Sequence, residues 1–150
     1  MLWLSTLNLE LETLNSLIQM EVNAMSKDER DILEVLRAEL DLVEKGGYGR
    51  SVRTPWKQTS TFQDSLTCLN YGYPYRAHPC EECFLDDLVP PERRSEVVPC
   101  HHIPLNAEGE TIETLELKDK QQLMEESLKL WLREKIAEIE AERAAAAERS

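Results

Sequence analysis

Four cysteines and two adjacent histidines are the side chains of this sequence that could do chemistry. Cys80 and Cys83 are separated by two residues in the stretch PCEEC, and Cys100 follows after sixteen more residues in the stretch PCHHI. A Cys-x2-Cys spacing lets two thiolates of one tight turn reach a single tetrahedral ion, and a third ligand at this distance is typical of zinc folds. We therefore expect Cys80, Cys83 and Cys100 to bind zinc.

The fourth zinc ligand has two candidates in the sequence. Cys68, twelve residues upstream of Cys80, would complete an all-thiolate site that is closed and structural. His102 is the alternative, because a strand through the stretch PCHHIPL would point Cys100 and His102 to the same face. We favour Cys68, since choosing His102 leaves one free thiol beside three bound ones.

One stretch resembles a known zinc finger. Cys80-Glu81-Glu82-Cys83, the run VPPERR at residues 89–94 and the later Pro99-Cys100 are similar to the finger of the bacterial RNA-polymerase regulators DksA and TraR. The resemblance covers about 24 residues and implies a zinc site flanked by helical arms. That family has a cysteine where this chain has Ile103, and the chain is not assigned to it.

Composition and charge narrow the choice of compartment and partner. The chain has 150 residues, 29 of them acidic and 17 basic, for a formal net charge of −12. Such a field repels phosphate backbones and anionic lipids, which disfavours nucleic acid and membrane partners. No run approaches the roughly 18 apolar residues of a membrane helix, and the N-terminus lacks the basic region of a signal peptide. We expect a cytoplasmic protein, whose reduced thiols are available to metals.

A basic, aromatic segment interrupts this acidic chain between residues 45 and 57. Arg50, Arg53 and Lys57 lie there with Trp56, and such a combination could bind an anion or a single-stranded nucleic acid by charge and stacking. The acidic helices offer many carboxylates to the same cations. We therefore expect these residues to lie across the protein's own surface, with Trp56 in the core.

Apolar periodicity divides the chain into an N-terminal helical extension, residues 1–25, and a zinc-binding domain, residues 26–150. A capping-box pattern at residues 26–29 and the pair Gly46-Gly47 delimit a helix over residues 26–45. Residues 48–117 are predicted to be irregular with short strands, and Asp119 is expected to cap a C-terminal helix over residues 119–149. Met25, directly before the capping box, is an internal methionine or a translation start. The predicted fold class is α-rich, with a small α+β fold as the alternative: helical arms around a zinc-knit centre.

The two long helices carry apolar stripes, at residues 32–43 and 124–139, that must be covered by each other or by another protein. We therefore expect a zinc-binding adaptor or regulator with a structural metal, which binds a protein partner or a second copy of itself. Two alternatives stay open: a metal-dependent enzyme with an open zinc position, and a nucleic-acid-associated regulator that uses residues 45–57. The sequence holds no constellation that names a substrate or a reaction.

Overall fold

The computed structural model describes residue 8 and residues 10–17, 28–49, 56, 59–74 and 76–149. Within them lie a helical segment at residues 10–17 and the helices α1 (Ile32–Glu44), α2 (Ile112–Leu117) and α3 (Gln121–Arg149). Four 3₁₀ turns connect α1 to α2, at Cys80–Glu82, Phe84–Leu88, Pro91–Arg93 and Pro99–His102. The described part of the chain contains no strand, so the α-rich prediction is confirmed. The prediction of short strands within residues 48–117 is wrong for the described residues, and the short helix α2 lies there instead.

Helix α1 ends where the sequence predicted. Gly46 has φ +73°, its amide donates to Val43 O at 3.0 Å, and the amide of Gly47 donates to Leu42 O at 2.8 Å. These two bonds make a Schellman motif, in which a residue with positive φ satisfies the last carbonyls of a helix. Glycine adopts that conformation without a steric penalty.

Helix α1 begins later than the predicted start at Ser26. Residues 28–31 are not helical, and the Asp31 carboxylate caps the helix by accepting from the amide of Leu33 at 3.1 Å. Asp28 instead binds Arg30, whose guanidinium reaches the carbonyls of residues 66 and 67. Contacts distant in sequence thus override a local capping signal, and Ser26 itself lies outside the described residues.

The expected N-cap of the last helix has a different role. Asp119 has φ +53°, and its amide donates to Glu116 O at 3.0 Å while the amide of Lys120 donates to Leu115 O at 3.0 Å. Asp119 is therefore the left-handed residue of a Schellman motif that ends α2. Helix α3 begins two residues later, at Gln121.

Helices α1 and α3 pack against each other in antiparallel orientation. Three ion pairs mark the register: Glu44 with Arg133 at 2.9 Å, Arg37 with Glu140 at 2.6 Å, and Asp31 with Arg143 at 2.7 Å. The apolar stripes of both helices enter one core with α2 and the irregular segment, a core that includes Leu36, Val43, Phe62, Ile112, Leu115, Met124, Leu128, Trp131 and Leu132. The two stripes therefore cover each other.

A buried carboxylate attaches the irregular segment to α1. Glu39 accepts hydrogen bonds from the hydroxyls of Tyr48, Ser65 at 2.7 Å and Thr67 at 2.5 Å. The Tyr48 hydroxyl in turn accepts from the amide of Phe62 at 2.9 Å. A buried charge is tolerated only when its oxygens are bonded in this way. This network fixes residues 61–67, which lead directly to Cys68.

Candidate metal centre

All four cysteines line one cavity of about 40 Å³. Cys68 enters it from the turn after the Glu39 network, Cys80 from the start of the turn Cys80–Glu82, Cys83 from between that turn and the next, and Cys100 from the turn at Pro99–His102. The side chains of Phe62, Leu85 and Val98 form part of the apolar wall, and Arg76 and Asp86 contribute charged groups. All four thiols are free rather than paired in disulfides.

The cysteines also share a backbone conformation. The carbonyl of Cys80 accepts from the amide of Cys83 at 3.0 Å, and that of Cys68 accepts from the amide of Tyr71 at 3.1 Å. The carbonyl of Cys100 accepts from the amide of Ile103 at a longer 3.5 Å. A turn closed by a hydrogen bond between residues i and i+3 leaves the amides of the residues in between available to a sulfur atom. Each of the three turns, which begin at Cys68, Cys80 and Cys100, carries one thiol of the shared cavity.

Burial controls the protonation of the thiols. Burial, and then the neighbouring thiols of Cys83, Cys68 and Cys80, raises the pKa of Cys100 to about 12. Burial raises the pKa of Cys83 to about 11, against the opposing influence of the Leu85 amide. Burial also raises the pKa of Cys80, which the Arg76 cation partly offsets. Without a cation in the cavity these three sulfurs are thiols at neutral pH.

The donor set suits zinc, although the side chains do not converge as they stand. Among the residues that the structure describes, no three His, Cys, Asp or Glu side chains are placed so that they could hold a metal ion. Four thiols around one small, mostly apolar cavity are nevertheless the donor set of a structural zinc site. Zinc there would be held by Cys68, Cys80, Cys83 and Cys100 as thiolates, and their side chains would have to turn toward one another.

The histidines near Cys100 face the helical scaffold. The segment expected as a strand is a 3₁₀ turn that begins with Pro99, because proline fixes φ and removes one backbone donor. His102 Nδ1 lies 3.1 Å from a Glu113 carboxylate oxygen of α2, and His101 Nε2 lies 2.7 Å from Thr61 O. Neither ring lines the cysteine cavity. Of the two candidate fourth ligands, the structure brings Cys68 to the other three cysteines and His102 to α2.

The candidate anion site is only partly visible. Arg50, Arg53 and Lys57 lie outside the described residues, while Lys45 forms an ion pair with Asp41 at 2.7 Å. Tyr48 is buried against Glu39, and Trp56 is 80% exposed, so the prediction that Trp56 lies in the core is wrong. The Tyr48 ring is therefore buried, whereas the Trp56 ring is open to solvent.

Sequence reasoning missed several charged residues around the cavity. Arg76 and Asp86 line it, and Arg30 donates to the backbone carbonyls of the two residues before Cys68. Only Asp86 carried a local signal, since it follows Cys83 by three residues. Arg30 is 38 residues from Cys68 in sequence, so no spacing rule could connect them.

In the described part of the chain no helix is long and apolar enough to span a membrane. Comparison with family models, with curated proteins and with solved structures finds no match to this chain.

Proposed function

We propose that this chain binds one zinc ion through Cys68, Cys80, Cys83 and Cys100 in a closed, structural site, and that it acts by binding another protein. The observation that carries the zinc proposal is the arrival of all four thiols at one cavity from three separate parts of the irregular segment. A closed four-thiolate site stabilises a fold and leaves no position for a substrate.

The lack of regular secondary structure in the irregular segment also supports the zinc proposal. Residues 59–74 and 76–111 contain only turns, bends and short 3₁₀ elements, and long segments of this kind are uncommon in compact domains unless something holds them together. Metal binding in such segments is coupled to folding, because the ligands converge only when the ion is present. Apolar burial and the Glu39 network anchor the start of this segment, and zinc would anchor its middle.

Metal analysis of the purified full chain tests the zinc proposal. We expect about one zinc per chain, and serine at Cys68, Cys80, Cys83 or Cys100 should lower both zinc content and the free energy of unfolding. His102→Gln is the matched control, because it removes the rival ligand and should leave zinc content unchanged. Folded wild-type protein without a transition metal would contradict the proposal.

Cobalt substitution tests whether the site is closed. Co²⁺ bound by four thiolates has an intense sulfur-to-metal charge-transfer band and tetrahedral d–d bands, whereas an open position adds a water ligand and weakens both. An open position would favour the alternative of a metal-dependent enzyme.

The protein-binding part of the proposal is supported by the N-terminal helical segment. The stripes of α1 and α3 cover each other, whereas Leu11, Leu14 and Leu17 follow one another at three-residue steps and are 58%, 55% and 56% exposed. Leucines at this spacing form one face of a helix, and such a face is suited to a helical partner. A second copy of this chain is the first partner to test.

Light scattering of the full chain after size exclusion tests this part. We expect a dimer that the double change Leu11→Glu and Leu14→Glu converts to a monomer, with zinc content unchanged. Asn15→Glu, on the same exposed segment, is the control and should stay dimeric. A wild-type monomer at all concentrations would refute self-association.

A further inference from the structure

A partly buried ion pair, Asp28 with Arg30, links the chain segments that carry Cys68 and Cys83. The Asp28 side chain is 1% exposed, and its carboxylate accepts from Arg30 Nε at 2.8 Å and from Nη2 at 2.6 Å. The backbone amide of Arg30 also donates to Asp28 at 3.1 Å. Two parallel bonds from one guanidinium to one carboxylate fix the plane of the guanidinium.

The same guanidinium holds the chain immediately before Cys68. Arg30 Nη1 donates to Leu66 O at 2.6 Å, and Nη2 donates to Thr67 O at 2.9 Å. Both carbonyls belong to the turn from which the Cys68 side chain enters the cavity. Arg30 therefore constrains the backbone position of Cys68 from outside its own segment.

The pair also contacts the residue immediately after Cys83. The guanidinium carbon lies 5.8 Å from the centre of the Phe84 ring, within cation–π range, and the Asp28 carboxylate lies 3.5 Å from the Phe84 amide. One ion pair thus bridges the residue before Cys68 and the residue after Cys83. These two cysteines lie in different segments, and Asp28 and Arg30 together contact both segments.

We infer that the Asp28–Arg30 pair positions Cys68 beside Cys83 and thereby determines whether the bound zinc has four thiolate ligands or three. The inference rests on the proposed zinc site. The positive charge of Arg30 supports the same role. Four thiolates outnumber the two positive charges of zinc, and a nearby cation stabilises the net negative centre. Arg30 is a positioning residue that acts through backbone carbonyls and charge rather than by touching the metal.

Site-resolved alkylation of the zinc-loaded full chain tests this inference. Wild-type protein and the variants Arg30→Leu, Arg30→Lys and Arg37→Leu are treated with iodoacetamide, and each cysteine is followed by mass spectrometry. In Arg30→Leu we expect Cys68 to react roughly tenfold to a hundredfold faster than in wild type, since losing an outer-shell partner weakens metal binding by such factors. Arg37→Leu, which loses an exposed ion pair on α1, should match wild type.

The outcomes separate this inference from the proposed function. Rapid alkylation of all four cysteines in zinc-treated wild type would refute the zinc site itself. Protection of all four in wild type, with equal protection of Cys68 in Arg30→Leu, would refute the positioning role alone, as would equal acceleration at all four cysteines. If circular dichroism shows that Arg30→Leu is unfolded, Arg30→Lys decides: lysine cannot make the paired bonds, so faster reaction of Cys68 supports the inference and an unchanged rate overturns it.

Discussion

Zinc binding at this site should be strongly coupled to pH, because the ligands are protonated thiols before the metal arrives. Burial raises the pKa of Cys80, that of Cys83 to about 11 and that of Cys100 to about 12. Each of these thiols must lose one proton to become a ligand. These three thiols alone release three protons per zinc and raise the affinity about a thousandfold per pH unit, which is roughly 4 kcal/mol, three times the free energy of one pKa unit.

Chelator competition between about pH 6 and about pH 8 measures this slope, with the chelator's own protonation taken into account. Calorimetry in two buffers of different ionisation enthalpy counts the protons independently. A release of one proton or fewer per zinc would refute the reasoning, since at most one of the buried thiols would then be a ligand.

The metal-free protein should respond to pH in the opposite direction. A thiol whose pKa is higher in the folded state than in the unfolded chain stabilises the fold below the unfolded pKa of about 8.5. That stabilisation is lost as the pH rises toward the folded values of about 11 and about 12 for Cys83 and Cys100. Urea denaturation of apo protein should therefore show a stability that falls above about pH 8.5. A midpoint that rises with pH in this range would contradict the pKa directions.

Three further predictions concern the scaffold. Glu39→Gln replaces an acceptor of three hydroxyl hydrogen bonds and should lower the free energy of unfolding, measured by urea denaturation, by about 2 kcal/mol. The control Glu34→Gln, on the exposed face of α1, should change it by less than about 0.5 kcal/mol. Equal effects of the two changes would contradict the importance of the network. Leu128→Ala should cost about 2 to 5 kcal/mol because the side chain is fully buried, and Leu130→Ala, 59% exposed on the same helix, should cost little, so similar losses would refute the packing of α3. Deleting residues 1–24 should leave zinc content and the urea midpoint unchanged, because the Asp31 cap and the Asp28–Arg30 pair both lie in the part of the chain that is kept. Loss of zinc would instead show that the N-terminal segment belongs to the core.

Helix ends were predictable where the signal is local and unpredictable where a distant partner decides. Gly46 ends α1 because glycine alone carries the required backbone conformation without strain, and that is visible in the sequence. The start of α1 depends on Arg30, whose hydrogen bonds to residues 66 and 67 keep the preceding residues out of the helix. A capping-box pattern is read from neighbouring residues only, so it does not indicate a contact with residues 66 and 67.

Asp119 illustrates an ambiguity of residue type. Aspartate is favoured before a helix and, less often, adopts the left-handed conformation that ends one. Here two helices meet within four residues, and the same aspartate could serve either role. The hydrogen bonds of Asp119 and Lys120 to α2 settle the choice in favour of the helix that ends.

The grouping of the cysteines around one cavity was predictable to the extent that they share a residue type. Cys80, Cys83 and Cys100 follow from spacing, and the grouping of Cys68 with them follows from the same chemistry. The placement of His102 could not be read in this way, because its face depends on whether Pro99–His102 is a strand or a 3₁₀ turn. In a strand, the side chains of residues i and i+2 point to the same face. In a 3₁₀ turn, which has three residues per turn, they point in different directions.

The polar residues beside the cysteines attach the surrounding backbone to the rest of the fold. His102 pairs with Glu113 and His101 binds Thr61, so the turn that carries Cys100 is attached to α2 and to the segment before Cys68. Glu39 attaches that segment to α1. Polar contacts therefore attach the backbone near two of the cysteines to the helical scaffold, near Cys100 through His102 and near Cys68 through Glu39. Removing Arg30 should then release Cys68 rather than the whole site, which is the behaviour that selective alkylation of Cys68 in Arg30→Leu would reveal.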